Sequence, residues 1–394
     1  MKYLAILGRL TGISLAELES LFSNVEYRGG ELATFEMDSS EEVDFSRLGG
    51  VMKIGEEILG GRDSLLEFLA ELPEGKITLG VSDFRRGASA KKAQIEALKL
   101  KKALKKARRS VRVLENKTAV LSTATSHHNQ LAEKKNHVEI IFTEFGIFNL
   151  KFVQNISKYA KRDQQRPARD AKVGMLPPKL AQILINLCGR LPEGSRVLDP
   201  FCGTGVVLQE AGLMGYRVVG TDLNERMVKF TEKNLAWLEK AEFLTEEEKR
   251  DIIERYCDKI LAVGDATETD WNELLKKEGV KGEISAIATE AFLGQPMSVP
   301  PAEIKMKQEK EKCRTIILGF LKNLSGQIKS GTSVVMAVPA WLRENGEYSR
   351  LNILDEAENL GYNVKKFISL RQRDLLYYRE GQIVAREIIV LRKK

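Results

Sequence analysis

The chain has 394 residues, 43% of them hydrophobic, with a net charge of +7 and a pI near 9.0. That length points to two or three domains with real cores, and no apolar run reaches the roughly eighteen residues that a membrane span needs. The four cysteines (Cys188, Cys202, Cys257 and Cys313) form no C-x-x-C pair, and the three histidines lie at no zinc-ligand spacing near them, so neither a metal site nor a disulfide framework is expected.

The opening Met1–Arg9 has a short apolar stretch broken by Arg9 and lacks a signal-peptide layout, so a cytoplasmic location is expected. Tyr3–Leu7 reads as a strand and Ile13–Phe22 as an amphipathic helix, within a first section covering residues 1–75. A second section, 76–150, offers strands at Lys76–Val81, Ser110–Leu114, Ala119–Ser122 and His137–Phe142 around one helix, an α+β pattern. That helix lies in Lys91–Arg112, which holds ten Lys and Arg against one acid, Glu96. Ile95, Leu98, Leu100 and Leu104, with alanines, fall at roughly helical spacing and predict a buried stripe. The opposite face would be densely cationic, with Lys101, Lys102, Lys105, Lys106, Arg108 and Arg109 as candidate phosphate contacts. His127 and His128 sit in a polar loop nearby. Residues 151–175 are polar with little periodicity and read as a linker.

Over 176–394 the pattern becomes strand, helix, strand, helix. Strands are expected at Arg196–Asp199, Arg217–Thr221, Ile260–Val263, Ile284–Ala288, Ser333–Val338, Val364–Ile368 and Arg386–Leu391. Helices such as Glu225–Lys240 and Lys305–Leu324 lie between them, which argues for an α/β fold with a mostly parallel, seven-stranded sheet covered on both faces.

The first of these strands runs into Asp199-Pro-Phe-Cys-Gly-Thr-Gly205. Gly203 and Gly205 let the backbone turn sharply and approach a ligand without Cβ clashes. Asp199 ends the strand, where open α/β sheets bind ligands. Asp222, 23 residues later, ends the next strand and suits a ribose diol; Asp265 follows the third strand and suits an adenine amino group. Acids at three successive strand ends give an adenosine-shaped site. An acidic first loop would oppose a pyrophosphate and suit a cationic methionyl group, so S-adenosylmethionine is favoured over NAD.

The stretch Asp199–Gly205 resembles the first motif of class I S-adenosylmethionine-dependent methyltransferases, in the branch that modifies exocyclic amines of nucleic-acid bases. It is also similar to the archaeal and eukaryotic tRNA guanosine-10 N2-methyltransferase family, which carries a THUMP RNA-binding domain ahead of the catalytic one. The resemblance implies a Rossmann-like catalytic domain at 176–394, a ferredoxin-like domain at 1–75 and a THUMP-like domain at 76–150. It adds Phe201, Thr204, Leu223 and Ala266 as cofactor contacts beside the three acids and two glycines. It also implies that the run from Arg166 through Met175 to Leu180 closes over the cofactor's methionine, with Met175 in contact. The implied partner is tRNA or another structured RNA. Need for a small activator protein or a second copy stays open.

Amino-methyltransferases of this branch carry [DNS]-P-P-[YF] after the fourth strand. A conjugated exocyclic amine is a poor nucleophile; an acceptor oxygen binds its hydrogens while an aromatic ring holds the extruded base. Here the strand ends Thr289-Glu-Ala-Phe-Leu-Gly-Gln-Pro296, without the prolines. Glu290 is favoured as the acceptor and Phe292 as the stacking ring; Thr289 takes the first place if the aromatic sets the register. Cys202 reads as a small packed residue rather than a nucleophile. The leading expectation is N2-methylation of a guanosine in tRNA. Adenine-N6 methylation of RNA or DNA, and a non-catalytic RNA-binding protein that retains the fold, are the alternatives.

Overall fold

The computed structural model describes residues 1–394 apart from 39, 40, 42, 171–174 and 281. The chain forms two compact units. The first comprises Met1–Thr11, Phe22–Ser46 and Gly50–Ser157, and the second Gly12–Leu21, Arg47–Gly49 and Lys158–Lys394.

The first unit is built on β1 (Lys2–Leu7), which is followed in the chain by α1 (Thr11–Leu21), then β2 (Ser23–Gly29), β3 (Leu32–Glu36) and β4 (Val51–Glu57). Helix α2 (Gly61–Glu71), β5 (Ile77–Asp83), α3 (Ala90–Lys106), β6 (Val111–Val113), α4 (Thr123–His128), β7 (His137–Thr143) and β8 (Gly146–Val153) complete it. One eight-stranded sheet runs in the order β2-β3-β1-β4-β8-β7-β5-β6. The antiparallel β4–β8 pair therefore joins strands from both sides of the 75/76 line drawn from the sequence. Alternation along the strands sorts the two faces. Val138, Ile140 and Phe142 of β7 pack with Leu65 and Leu69 of α2 and with Leu100 and Leu104 of α3. Ile141, between them, packs with Leu121, Leu131 and Phe148 on the other face.

Two expectations fail in this unit. Ala119–Ser122 is not a strand: Leu121 is drawn inward, its N–H donating to Ser82 Oγ at 2.9 Å and its carbonyl receiving Lys53 Nζ at 2.7 Å. The buried stripe of α3 is Ala93, Ala97, Leu100 and Leu104, while Ile95 and Leu98 are exposed. Leu100 and Leu104 of the expected stripe are therefore inside with the alanines Ala93 and Ala97, while its Ile95 and Leu98 lie outside it.

The second unit contains α1, α5 (Ile156–Gln164, from Lys158 on), α6 (Pro178–Leu187), β9 (Arg196–Asp199), α7 (Val206–Leu213) and β10 (Arg217–Asp222). It continues with α8 (Glu225–Leu238), α9 (Glu246–Tyr256), β11 (Ile260–Val263), α10 (Trp271–Lys277), β12 (Ile284–Glu290) and α11 (Glu303–Ser325). Then follow β13 (Ser333–Leu342), β14 (Tyr348–Ser349), α12 (Leu354–Asn359), β15 (Tyr362–Val364), β16 (Leu376–Tyr377) and β17 (Val384–Lys393). The main sheet order is β11-β10-β9-β12-β13-β17-β15, with β14 and β16 at its margin. Strands β11 to β13 pair in parallel, and β17 runs antiparallel between β13 and β15. This is a Rossmann-like α/β fold. Trp271, Phe320, Leu321 and Leu324 cover one face of the sheet; α6 and α7 lie on β12 and β9. Burying such side chains contributes roughly 2–3 kcal/mol each.

The segment read as a linker is ordered up to residue 170: it finishes β8 and forms α5. Its polar residues hid burial, because Tyr159 and Arg162 are inside and Arg162 pairs with buried Glu210 through Nε at 2.7 Å. Residues 171–174 of that segment lie outside the described residues. Helix α1 belongs to the second unit rather than to a 1–75 domain: Glu17 Oε1 accepts from Asn186 Nδ2 of α6 at 2.7 Å and from the Gly49 amide at 2.9 Å. Among the described residues no helix is long and apolar enough to cross a membrane.

Candidate functional site

The strand order reverses between β9 and β12, and open α/β sheets bind ligands in the crevice at such a point. Strand β9 ends at Asp199, and the loop Pro200–Gly205 leads into α7. Gly205 occupies the left-handed region with φ +81°, and a Cβ there would stand 2.8 Å from Thr231 Cγ2. Gly203 is also left-handed, with φ +53°. Gly205 therefore requires glycine, and Gly203 is eased by it. The loop is tied down on three sides. The Cys202 amide donates to Thr221 O at 2.9 Å, Thr231 Oγ1 to Gly203 O at 2.9 Å, and Asn234 Nδ2 to Thr204 O at 2.8 Å.

A cavity opens above this loop. Asp199, Phe201, Cys202, Gly203 and Thr204 line it, with Met175, Asp170 and Glu290 from other segments. Asp199 is buried and accepts from Thr289 Oγ1 at 2.6 Å and from the Phe201 amide at 3.3 Å. Burial, with Asp222 and Glu290 adding repulsion, pushes its carboxyl up to about 7 despite those two hydrogen bonds. Thr289 is fully buried, so it positions Asp199 across the strand gap rather than meeting a substrate.

The three acids form a staircase. Asp199 is level with Gly220, and Asp222 lies two residues further; Asp222 is level with Val263, and Asp265 lies two residues beyond that. Each step is about 7 Å along and about 5 Å across. Asp222 accepts from the Gly203 amide at 2.9 Å and the Asn224 amide at 2.9 Å; burial raises its carboxyl, and those bonds oppose the rise. Asp265 Oδ1 accepts from the Thr267 amide at 2.8 Å and hydroxyl at 2.7 Å. Neither Asp222 nor Asp265 lines the cavity itself. Leu223 beside Asp222 and Val263 before Asp265 are 72% and 55% exposed, which leaves two aliphatic side chains uncovered at this edge; Ala266 is buried.

Glu290, at the end of β12, lines the cavity. Its Oε1 accepts from Arg386 Nε of β17, and Arg386 is itself buried. Burial raises the Glu290 carboxyl, and the Arg386 charge and hydrogen bond hold it down. No hydrogen bond to Oε2 is seen among the described residues. The sequence offered one faint sign of Arg386: a charged pair, Arg386-Glu387, inside an otherwise apolar strand.

Phe292 is not at the cavity. Its ring packs against the core under α11, with Lys312 Nζ 5.2 Å from its centroid. The loop after β12 turns inward two residues past Glu290, so the expected stacking place is not realised. Cys202 is buried and its thiol is pushed well up by burial, which favours the neutral, packed thiol over a thiolate.

In the first unit, Lys102, Lys105, Lys106 and Arg108 are exposed and Lys101 is half-buried. Lys91, Lys92 and Lys99 are exposed beside them. Glu96 is buried and paired to Arg62 at 2.8 Å and Lys99 at 2.9 Å, so the face itself carries no free acid from α3. Arg109 departs from the expectation. Its guanidinium donates to the carbonyls of Ala70, Leu72 and Pro73 at 2.5–2.6 Å, sealing the end of α2. His127 stands 3.6 Å from Glu133, and its buried Nδ1 has no hydrogen bond among the described residues.

Residues 166–268 match the family model described as UPF0020, RMKL-like, methyltransferase domain. The chain is 32% identical over 169 residues to the tRNA (guanine(10)-N2)-dimethyltransferase of Methanothermobacter thermautotrophicus, covering 43% of this chain and 40% of that protein. It is 34% identical over 126 residues to the protein of the same name from Pyrococcus abyssi, covering 32% of this chain and 30% of that protein. The matched stretches thus span less than half the length of these curated relatives. Among solved structures, TrmN from Thermus thermophilus aligns over 100% of both chains at 18% identity and a TM-score of 0.46.

Proposed function

We propose that the chain is an S-adenosylmethionine-dependent methyltransferase that acts on the N2 amine of a guanosine in tRNA. The observation that carries the reading is the pairing of Asp199 and Glu290 across the switch point, both lining one cavity beside the glycine loop. The family match over 166–268 and the names of the curated relatives support the reaction class and the substrate.

The residues present fit this cofactor. Asp170, Asp199 and Glu290 make the cavity wall acidic, which suits a sulfonium and an ammonium and opposes a pyrophosphate. Asp222 and Asp265 would take the ribose and adenine, with Leu223 and Ala266 beside the ring. The bound cofactor supplies an electrophilic methyl group. The chain's own residues then prepare the amine. Glu290 accepts an N–H of the exocyclic amine through Oε2, which draws the lone pair out of conjugation with the ring. Arg386 fixes that carboxylate through Oε1 and opposes the rise that burial imposes on it. Thr289 holds Asp199 in place below it. The cationic face of α3 would bind RNA phosphates and supply affinity, while the cavity selects the base.

Incubation of the full chain with methyl-labelled S-adenosylmethionine and unmodified tRNA, followed by nucleoside analysis, tests this. The expected product is N2-methylated guanosine. Label in N6-methyladenosine, or in DNA alone, would replace the substrate assignment; no label in either, with RNA still bound, would remove the enzymatic reading.

A further inference from the structure

Strand β13 runs on past the level of the candidate site. Its Ala337 pairs with Glu290, where β12 ends, but β13 continues to Leu342. There β14 pairs with it, Ser349 opposite Trp341 and Tyr348 opposite Leu342. Val384 of β17 meets Trp341 from the other edge, so β14 takes up the edge that β12 leaves at Glu290. Trp341 lies four residues beyond Ala337, which sets Ser349 about 13 Å further along the sheet than Glu290. A short hairpin joins β13 to β14. The Arg343 amide donates to Glu347 O at 2.8 Å and the Gly346 amide to Arg343 O at 3.0 Å.

Two cations converge on this hairpin. Lys310 Nζ of α11 donates to Ser349 Oγ at 2.9 Å, and Arg343 Nη2 donates to the same oxygen at 2.9 Å. Lys310 also donates to Arg350 O at 2.7 Å. A hydroxyl and a carbonyl are neutral acceptors, so they satisfy the donors without balancing the charges. Among the described residues neither cation has an ion pair. Glu387, whose charge reaches Lys310, is already held by Arg350 Nη1 at 2.7 Å and Gln372 Nε2 at 3.0 Å. Burial and then the Arg343 charge depress the Lys310 ammonium, and Glu387 opposes them less strongly. Arg343 is exposed and Lys310 half-buried, so an anion can reach the pair from solvent.

An aromatic pair stands on the same hairpin. Tyr348, next to Ser349 in the chain, has its ring centroid 5.6 Å from that of Tyr378, at 40°. The Tyr348 hydroxyl donates to Gln382 O at 2.6 Å, which fixes its ring, and Tyr378 is 37% exposed. Cations that take phosphates, set beside aromatic rings that take base faces, are the combination that suits a single strand. In a duplex the base faces are stacked on one another and offer nothing to a ring.

We propose that this hairpin holds the unpaired RNA strand next to the nucleotide in the cavity, a role that rests on the tRNA reading above. Lys310 and Arg343 take one phosphate, and Tyr378, backed by Tyr348, stacks on a base. The cationic face of α3 belongs to the first unit and needs no unpaired bases, so the two surfaces do different work. The α3 face supplies affinity for phosphates at large. The hairpin fixes a strand at a set distance from Glu290 and so limits which nucleotide reaches the cavity.

Fluorescence anisotropy of the full chain with a short labelled single-stranded oligoribonucleotide, and with a duplex of the same length, tests this without turnover. Lys310→Gln with Arg343→Gln should weaken single-strand binding about tenfold and reduce its salt slope by roughly 0.7, the share of one phosphate. Arg343→Gln alone, at an exposed side chain, should give a smaller loss of the same kind. Tyr378→Ala should weaken the single strand about 5- to 100-fold with the slope unchanged, and Tyr378→Phe should keep the affinity. Duplex binding should fall far less in each case, and S-adenosylmethionine should bind these variants as it binds wild type. Equal losses on duplex and single strand, or undiminished single-strand binding by Arg343→Gln or by Tyr378→Ala, would overturn the inference. If wild type methylates tRNA while those variants bind the single strand as it does, this inference alone falls; if wild type binds no RNA, the tRNA reading falls with it.

Discussion

Two buried polar clusters of this protein follow opposite rules. In the first unit, Glu139 is fully enclosed and fully partnered. It accepts from Lys53 Nζ at 2.7 and 3.0 Å, from Ser82 Oγ at 2.6 Å and from Ser126 Oγ at 2.5 Å. Lys53 adds Leu121 O, and Ser82 Oγ also accepts from the Leu121 amide, so the network closes on itself and pins a loop to the sheet. In the second unit, Glu290 is paired through one oxygen only, Asp199 is pushed up to about 7, and Arg166 keeps two buried nitrogens without acceptors among the described residues. A saturated network serves structure. An unsaturated one is costly unless something else completes it, and that is the physical mark of a binding site.

The contrast can be broken experimentally at either end. Lys53→Met leaves Glu139 buried without its counter-charge and should cost about 3–5 kcal/mol, read as an earlier urea-unfolding transition of the full chain. Cofactor affinity of the folded protein should not change; if it did, the first cluster would not be purely structural. Glu290→Gln should act the other way round. Turnover should drop about 100- to 1000-fold, far more than cofactor affinity, because the amine loses its acceptor while the cofactor loses one of three cavity carboxylates. Arg386→Met should lower turnover less and move its acidic limb to higher pH, since Glu290 loses the charge that holds its carboxyl down. An unshifted limb would separate Arg386 from the reaction.

Smaller effects sharpen the assignment. Neutralising Lys101, Lys102, Lys105 and Lys106 together should weaken tRNA binding about tenfold and reduce the salt slope by up to about four, roughly one for each phosphate no longer neutralised. Arg109→Gln should leave that slope alone and lower the melting temperature, because its donors seal α2. For Asp199 the sign follows from its raised carboxyl. Its unfolded value is near 4, so the folded state holds the extra proton between about 4 and 7. Stability from this group is present below about 4 and is lost as pH rises through about 7. Ionisation also favours a cation beside it, so S-adenosylmethionine should bind more tightly as pH rises through about 7, and S-adenosylhomocysteine, which lacks the sulfonium charge, much less so. Asp199→Asn should flatten both trends in differential titrations.

Much of the catalytic unit was legible in the sequence because its signals are local. Asp199–Gly205 is a contiguous loop, and the acids at the next two strand ends fall at spacings set by strand–helix alternation. What escaped depends on distant chain segments. Arg386 reaches Glu290 across 96 residues, only because β17 inserts antiparallel beside β13. Arg166 was named at the start of the run over the cofactor's methionine, but its burial was not legible, since hydropathy does not register an arginine buried beside another arginine's ion pair. Phe292 falls one step early when the motif is counted from Glu290, and its ring packs against the core beside Lys312 of α11 instead of facing the cavity. In the first unit, Leu100, Leu104, Ala93 and Ala97 hold the buried stripe of α3 as the spacing suggested, but Ile95 and Leu98 were counted into it although they are exposed.

The most direct test of the proposed active site compares wild type with Glu290→Gln in a single-turnover transfer of labelled methyl to unmodified tRNA, followed by nucleoside analysis. Label in N2-methylated guanosine for wild type, with Glu290→Gln, saturated with cofactor and tRNA, transferring at least about 100 times more slowly, is the expected result. Undiminished transfer by Glu290→Gln, or label on a base other than guanine, would contradict it.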